Sequence, residues 1–266
     1  MLITKIEVQK QNKNRFHVYV DKGQGEEYGF SVHEDILIQF GLRKGLELDD
    51  FDVIEIQYGD KARKAYHKAI EYLGLKMRSK KEVHDFLMKK NVSEHLIQEV
   101  LQLLTEKNYI NDQEYANAYV RTQIHTNKKG PQLIQKELEE KGINHSSIDA
   151  ALSQFTKEKQ IDLAYKLAEK YNRKTNQLSS AELKRKMEAD LLRKGFSFDI
   201  IEIVKEMMPV QQSSEEEWEA LSKQAEKATR RYASYDRNML KQKLKQFLYR
   251  KGFSVELIDQ YLQEIE

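Results

Sequence analysis

Apolar residues alternate with polar ones at the start of the chain, then recur at three- and four-residue intervals to its end. Ile6 and Val8, then Phe16, Val18 and Val20, then Tyr28, Phe30 and Val32 keep the two-residue period of half-buried strands. Polar turns over Lys10 to Asn14 and Asp21 to Glu27, the second holding Gly23 and Gly25, separate them. Residues 1–60 are therefore expected to form a small β-rich region, an antiparallel sheet of about three strands. Such a sheet is marginal alone, and a helix from His33 to Phe40, ended by Gly41, would cover one face. The apolar run Val53, Ile54, Ile56 suits either element and is read as helix.

Beyond residue 60 one phrase recurs four times: Lys90-Asn91-Val92-Ser93 with Ile97, Lys141-Gly142-Ile143-Asn144 with Ile148, Lys194-Gly195-Phe196-Ser197 with Ile201, and Lys251-Gly252-Phe253-Ser254 with Ile258. Each position has a mechanical job in a helix-to-helix corner. The Lys sits where a cation complements the last carbonyls of a helix, and Gly, or Asn at 91, takes the left-handed conformation that ends it. Ser or Asn then caps the next helix, and the apolar residue before the cap packs on the Ile beyond it, as in a hydrophobic staple. Copies 51, 53 and 57 residues apart mark internal repeats.

The helices after these corners carry apolar seams at 97, 100, 101 and 104, at 148, 151, 152 and 155, at 201, 204 and 208, and at 258, 261, 262 and 265. Lys205 stands where the other copies have Leu101, Leu152 and Leu262, which predicts a narrower or shifted third seam. Two further helical patterns precede each corner. The first of them carries Tyr66, Ala69, Ile70 and Leu73, then Tyr115, Ala118 and Tyr119, then Ile161, Ala164, Tyr165 and Ala168, then Trp218, Leu221 and Ala225. Capping-box spacing at Ser79 with Glu82, Asn111 with Glu114, Ser179 with Glu182 and Ser214 with Glu217 marks helix starts, and Gly130-Pro131 puts Pro at a first helical position. The expected fold is mainly α: an elongated tandem array of three-helix, helix-turn-helix-like repeats over 61–108, 109–158, 159–210 and 211–266.

Composition fits a thin, solvated array. Charged residues make up 33% of 266 and only Pro131 and Pro209 are prolines, while mean hydropathy is −0.77. Absence of cysteine excludes disulfides, thiolate metal sites and a cysteine nucleophile, and suits a reducing compartment. No apolar stretch suits a secretory leader or a membrane span, so a cytoplasmic protein with no membrane contact is expected. The chain has no phosphate-binding glycine loop, dinucleotide fingerprint, His-Glu-x-x-His or Gly-x-Ser-x-Gly. Its seven histidines, at 17, 33, 67, 84, 95, 125 and 145, are scattered. Neither an enzyme nor a metal or cofactor site is expected.

Charge is nearly balanced overall, 45 Lys and Arg against 43 Asp and Glu, but it is clustered. Residues 61–90 hold ten cations against three acids, and residues 223–251 hold ten against two. Glu202, Glu206, Glu215, Glu216, Glu217 and Glu219 lie between them. A single such charge is ordinarily a solvated helix face; clusters at both ends of an array suit a phosphate backbone or the acidic surface of a filament, with affinity falling as salt rises. Tyr66, Tyr119 and Tyr165 fall in apolar stripes and Trp218 at a seam, and all are read as packing residues rather than base-stacking ones.

Several segments in order, Ala69-Ile70-Glu71-Tyr72-Leu73, Arg78-Ser79-Lys80-Lys81-Glu82-Val83, Leu87 to Ile97, Asn108-Tyr109-Ile110-Asn111-Asp112-Gln113-Glu114-Tyr115-Ala116 and Lys129-Gly130-Pro131 through Lys141-Gly142-Ile143, carry a family likeness. From about residue 60 to its end the chain resembles the RecX family of bacterial regulatory proteins, and its length and small strand region resemble the longer Gram-positive type. The resemblance implies a modulator of the RecA recombinase. Such proteins lie in the groove of the RecA filament on DNA, limit its growth or promote its disassembly, and damp strand exchange, ATP hydrolysis and co-protease activity in recombination, DNA repair and the SOS response. It also implies no catalytic residues and no cofactor. The chain departs from the pattern at Asn91, where the other corners have Gly, and over the unusually polar residues 170–180.

The implied partner is the RecA filament, met by a monomer. Direct contact with single- or double-stranded DNA stays open, because three short helices with a sharp corner also describe helix-turn-helix DNA-binding units. A scaffold indifferent to both is a third class. By charge and position the expected contact residues are Arg78, Lys80, Lys81, Lys128, Lys129, Lys184, Arg185, Lys186, Arg230, Arg231, Lys241, Lys243 and Lys245.

Overall fold

The alternating segments fold as β1 (Leu2–Val8), β2 (Arg15–Asp21) and β3 (Glu26–His33), an antiparallel sheet in the order β1-β2-β3. The computed structural model describes residues 1–172, 177–208 and 212–264. Pro209, Ile265 and part of the polar stretch 170–180 lie outside the described residues. The chain divides into two units, residues 1–115 and 116–266.

In the first unit Ile3, Val18, Val20, Phe30 and Val32 are buried, with Ile36 of α1 (Glu34–Gln39) and Ile56 of α2 (Asp50–Leu75) over them. Tyr28 breaks the alternation and is exposed. The ladder slips between Val18 and Tyr19, so that Val18 faces Phe30 but Tyr19 faces Tyr28. That slip leaves Gly29 as the extra residue and turns Tyr28 to the outer face. Gly29 suits the spot, since an added Cβ would meet Val20 Cγ2 at 3.0 Å.

Helix α2 begins at a capping box between Asp49 and Asp52, and the ambiguous run at 53–56 is helical. It continues unbroken across residue 60, so that boundary falls inside one element. Asp60, only 4% exposed, ties α2 to the sheet. It accepts both Arg15 Nη groups at 3.1 and 3.0 Å and the His33 backbone N–H at 2.8 Å, and pairs with Lys64 at 2.8 Å. Burial works against its charge, but Arg15 and Lys64 outweigh burial and its pKa is lowered.

The remaining chain is helical: α3 (Lys80–Lys89), α4 (Glu94–Glu106), α5 (Asp112–Thr122) running into a π-helical turn (Gln123–Asn127), α6 (Pro131–Glu140), α7 (His145–Leu152), α8 (Lys157–Asn172), α9 (Ser180–Arg193), α10 (Phe198–Met207), α11 (Ser214–Arg231), α12 (Arg237–Arg250) and α13 (Val255–Glu264). With the second half of α2 counted first, these make consecutive trios, the tandem three-helix array that the periodicity predicts.

All four corners share one construction. Asn91, Gly142, Gly195 and Gly252 have φ of 58°, 75°, 87° and 86°. The next residue in each, Val92, Ile143, Phe196 or Phe253, donates its N–H back to Leu87, Leu138, Leu191 or Leu248 at 3.1 to 3.3 Å. This is the bond pattern that satisfies a helix's last carbonyls, with an apolar clasp alongside. The side-chain caps are less uniform: Asn144 accepts from Ser147 N and Ser254 from Leu257 N, whereas Ser93 and Ser197 make no side-chain cap bond.

The capping box of α11 lies one residue earlier than its spacing predicts, between Ser213 and Glu216. Glu217 instead accepts from Ser180 N at 3.2 Å and Ser180 Oγ at 2.6 Å, at the start of α9. The seams at 97, 100, 101 and 104 and at 201, 204 and 208 are buried. Lys205 sits beside the latter, paired with Glu202 at 2.7 Å and Glu188 at 3.6 Å.

Within the second unit the corner of one trio docks on the second helix of the trio before it. Gly130, the N-cap of α6, donates to Lys194 O at 2.7 Å, and Gln132 N donates to Gly195 O at 3.1 Å. One trio later, Ser179, the N-cap of α9, donates its hydroxyl to Lys251 O, and Lys251 Nζ reaches Glu182 at 3.3 Å. In each joint the open N–H end of one helix meets the carbonyl end of another, an arrangement both hydrogen bonding and the helix dipoles favour.

Candidate basic interface

Most of the predicted contact residues lie on the second helices of the trios; Arg78, Lys128 and Lys129 lie just before them and Arg230 and Arg231 end α11. In α3, α9 and α12 one face is buried, through Val83 and Leu87, through Leu183, Met187 and Leu191, and through Leu244 and Leu248. Their cations are left on the other face, towards water. Lys184 and Lys186 precede Gly195 by the same numbers of residues as Lys241 and Lys243 precede Gly252, so α9 and α12 present lysines in the same register.

Around α3, Arg78 is held by stacking. Its guanidinium lies 4.1 Å from the Tyr72 ring centre, and Tyr72 stacks on Phe86 at 4.1 Å with ring planes 3° apart. Lys80 is exposed, its backbone N–H donating to Asp112 Oδ1 at 2.8 Å, while Lys81 pairs with Asp85 at 3.2 Å. On the same helix His84 Nε2 meets Glu94 of α4 at 3.0 Å and Nδ1 meets Asp85 at 3.3 Å. Burial opposes its charge, but Glu94 and Asp85 prevail and its pKa is raised.

Lys128 closes the π-helical turn in the left-handed conformation, φ 51°, and is exposed. Lys129 is drawn inward to Glu137 at 2.5 Å, a carboxylate that also accepts from Tyr119 Oη at 2.9 Å. Lys184 and Arg185 are exposed and have no ion pair among the described residues, whereas Lys186 pairs with Glu182 at 3.2 Å. Arg230 and Arg231 end α11, where cations complement the last carbonyls, and both are exposed. Lys245 is tied to Asp259 of α13 at 2.5 Å.

Two predicted residues meet in a hollow of about 460 Å³, where Arg230 and Lys241 are joined by Arg237, Leu240, Leu244, Glu226, Thr229 and Tyr261. Arg237 is not among the expected contacts, although it lies in the basic run 223–251 and begins α12. A second hollow, about 290 Å³, groups Lys186 with Lys223 and Lys227, which the sequence gives only as members of the same charged stretch. Cations beside apolar and tyrosyl surface suit an oxyanion carried on a macromolecule, a phosphodiester or an acidic side chain. Among the described residues no helix is long and apolar enough to cross a membrane.

Comparison with known proteins accounts for almost the whole chain. Residues 1–49 match the regulatory protein RecX N-terminal domain, residues 65–104 the first RecX three-helix domain and residues 111–152 the second. The third RecX three-helix domain matches twice, over residues 158–204 and 215–262. Regulatory protein RecX of Bacillus cytotoxicus is 47% identical over 262 residues, covering 98% of this chain and 97% of the relative. That of Bacillus cereus strain AH820 has the same identity and coverage. A crystal structure of regulatory protein RecX aligns with TM-score 0.67 and 40% identity, covering 77% of this chain and 98% of that one. The crystal structure of RecX from Lactobacillus salivarius aligns with TM-score 0.54 and 35% identity, over 57% and 99%.

Proposed function

The chain belongs to the RecX family of regulatory proteins, and on that premise we propose that it regulates homologous recombination by binding the RecA filament on DNA. Bound in the filament groove, it inhibits filament growth, strand exchange, ATP hydrolysis and co-protease activity. It acts as a cytoplasmic monomer and by occupancy, with no chemistry of its own.

The observation that carries this reading is repetition of both joint and charge. The docking of Lys194 and Gly195 on α6 recurs as that of Lys251 on α9, and the lysines of α9 recur in register on α12. A filament offers the same surface at every protomer. A chain that repeats its own contacts gains from each one made after the first, because later contacts are intramolecular.

The test is RecA ATPase activity on saturated single-stranded DNA. Inhibition at chain concentrations well below the recombinase is expected, since one regulator arrests a filament of many protomers. A chain acting on DNA directly as a helix-turn-helix binder would inhibit only near stoichiometry with DNA sites, and that outcome would replace this reading.

A further inference from the structure

Two side chains at the start of α1 and a third more than thirty residues on in sequence meet where β3 passes into α1 and packs on α2. One potential ligand atom from each of His33, Asp35 and His67 lies within 4.8 Å of the others. The two imidazole rings are 4.9 Å apart and tilted by 34°. His33 Nδ1 stands 3.3 Å from Asp35 Oδ2. That separation is the edge of a tetrahedron whose metal–ligand bonds are about 2.0 Å. Two imidazoles with one carboxylate form a donor set that suits zinc and neighbouring divalent transition ions rather than magnesium or calcium.

We propose that His33, Asp35 and His67 form a binding site for one divalent ion of the zinc class, with water completing the shell. The bound ion pins the junction of β3 and α1 to α2. Two present contacts give way to it: the bond from Asp35 N to His33 Nδ1, 3.2 Å, and the ion pair between Arg63 and Asp35 Oδ2. The Arg63 contact is an ion pair without hydrogen-bond geometry, since Asp35 Oδ2 is a buried atom with no hydrogen-bond partner. Arg63 also has somewhere else to go. Its guanidinium is 5.3 Å from the Tyr66 ring and borders a hollow of about 700 Å³ lined by Phe40, Tyr58 and Ala62. Arg63 is therefore a competitor for Asp35, and the metal and the guanidinium exclude one another.

The experiment is calorimetric titration of the untagged full chain with zinc chloride, with circular dichroism as a check on folding. One saturable zinc per chain is expected, with a raised melting temperature and no such response to magnesium. His67→Ala, and His33→Asn, which keeps a helix-capping oxygen, each weaken binding by more than about tenfold. Arg63→Gln tightens it, a gain that a merely damaged fold cannot produce. Absence of saturable binding, or zinc affinity unchanged in folded His67→Ala, overturns the site, as does weaker binding in Arg63→Gln.

Discussion

At the scale of single residues, stability is concentrated where a charge is buried with its partners. Asp60 joins β2, β3 and α2 through Arg15, the His33 amide and Lys64. Asp60→Ala would leave the Arg15 guanidinium, itself only 12% exposed, without its counter-ion. Breaking a buried pair in this way costs about 3–5 kcal/mol, so a large fall in the urea midpoint of the first unit is expected. Because the Asp60 pKa is lowered by folding, its stabilisation is present above the ordinary aspartate range and is lost as pH falls through the folded value. His84 has the opposite sign. Its pKa is raised, so its bridge between α3 and α4 stabilises fully below the ordinary histidine range, and that stabilisation disappears as pH rises through the folded value. Urea unfolding of His84→Gln and the parent across that range should give curves that differ in acid and converge in base; a constant offset would show that His84 contributes packing alone. The Asp60 tie was not legible in the sequence, because nothing local links Arg15 or the His33 amide to Asp60.

At the scale of elements, the corners were legible because every group they need lies within a few consecutive residues: a left-handed Gly or Asn, a clasp residue and a cap. The sequence was less informative wherever a tertiary claim competed with a local one. Ser213 with Glu216 and Ser214 with Glu217 have equal claims to a capping box, and the demand of Ser180 for Glu217 decides between them. Tyr28 faces outward because the slip at Gly29 is a property of two strands, not one. Lys205 tolerates its place beside a seam only because Glu202 and Glu188 reach it. The joints were hidden for the same reason, since Gly130 and Gly195 read locally as a helix start and a helix stop. An added Cβ on Gly130 would stand 2.5 Å from Gly195 O, and one on Gly195 2.5 Å from Leu133 Cβ. Gly130→Ala has ordinary backbone geometry, φ −80°, and so isolates the joint; displacing the neighbour should cost about 1–3 kcal/mol. Gly195→Ala adds the left-handed penalty of about 1–2 kcal/mol. Denaturant melts should therefore rank the parent above Gly130→Ala and that above Gly195→Ala, and a Gly130→Ala as stable as the parent would mean that the joint yields freely.

At the scale of the whole molecule, the third and fourth trios both match the third three-helix domain, and they share the form of the joint and the register of the lysines as well. Local charge density marks the helices that carry most of the cations, but which cations are free depends on partners the sequence does not reveal. Lys129, Lys186 and Lys245 are spoken for by Glu137, Glu182 and Asp259. Reversing Lys245 would set two carboxylates against each other between α12 and α13, so lost inhibition could be mistaken for a lost contact when the trio had merely loosened. Arg230, Arg231 and Lys243 have no ion pair among the described residues and make the cleaner set. The triple variant Arg230→Glu, Arg231→Glu, Lys243→Glu should keep its helical circular dichroism and lose little melting temperature, since charges away from pairs change stability little and each acid at the end of α11 costs about 0.3–1 kcal/mol. Its inhibition of RecA ATPase should weaken severely, and the residual effect should depend less on salt, because fewer charge contacts remain to be screened. If the variant inhibits as well as the parent, the fourth trio does not meet the filament through this face, and the register shared by α9 and α12 is not a second hold on a repeating partner.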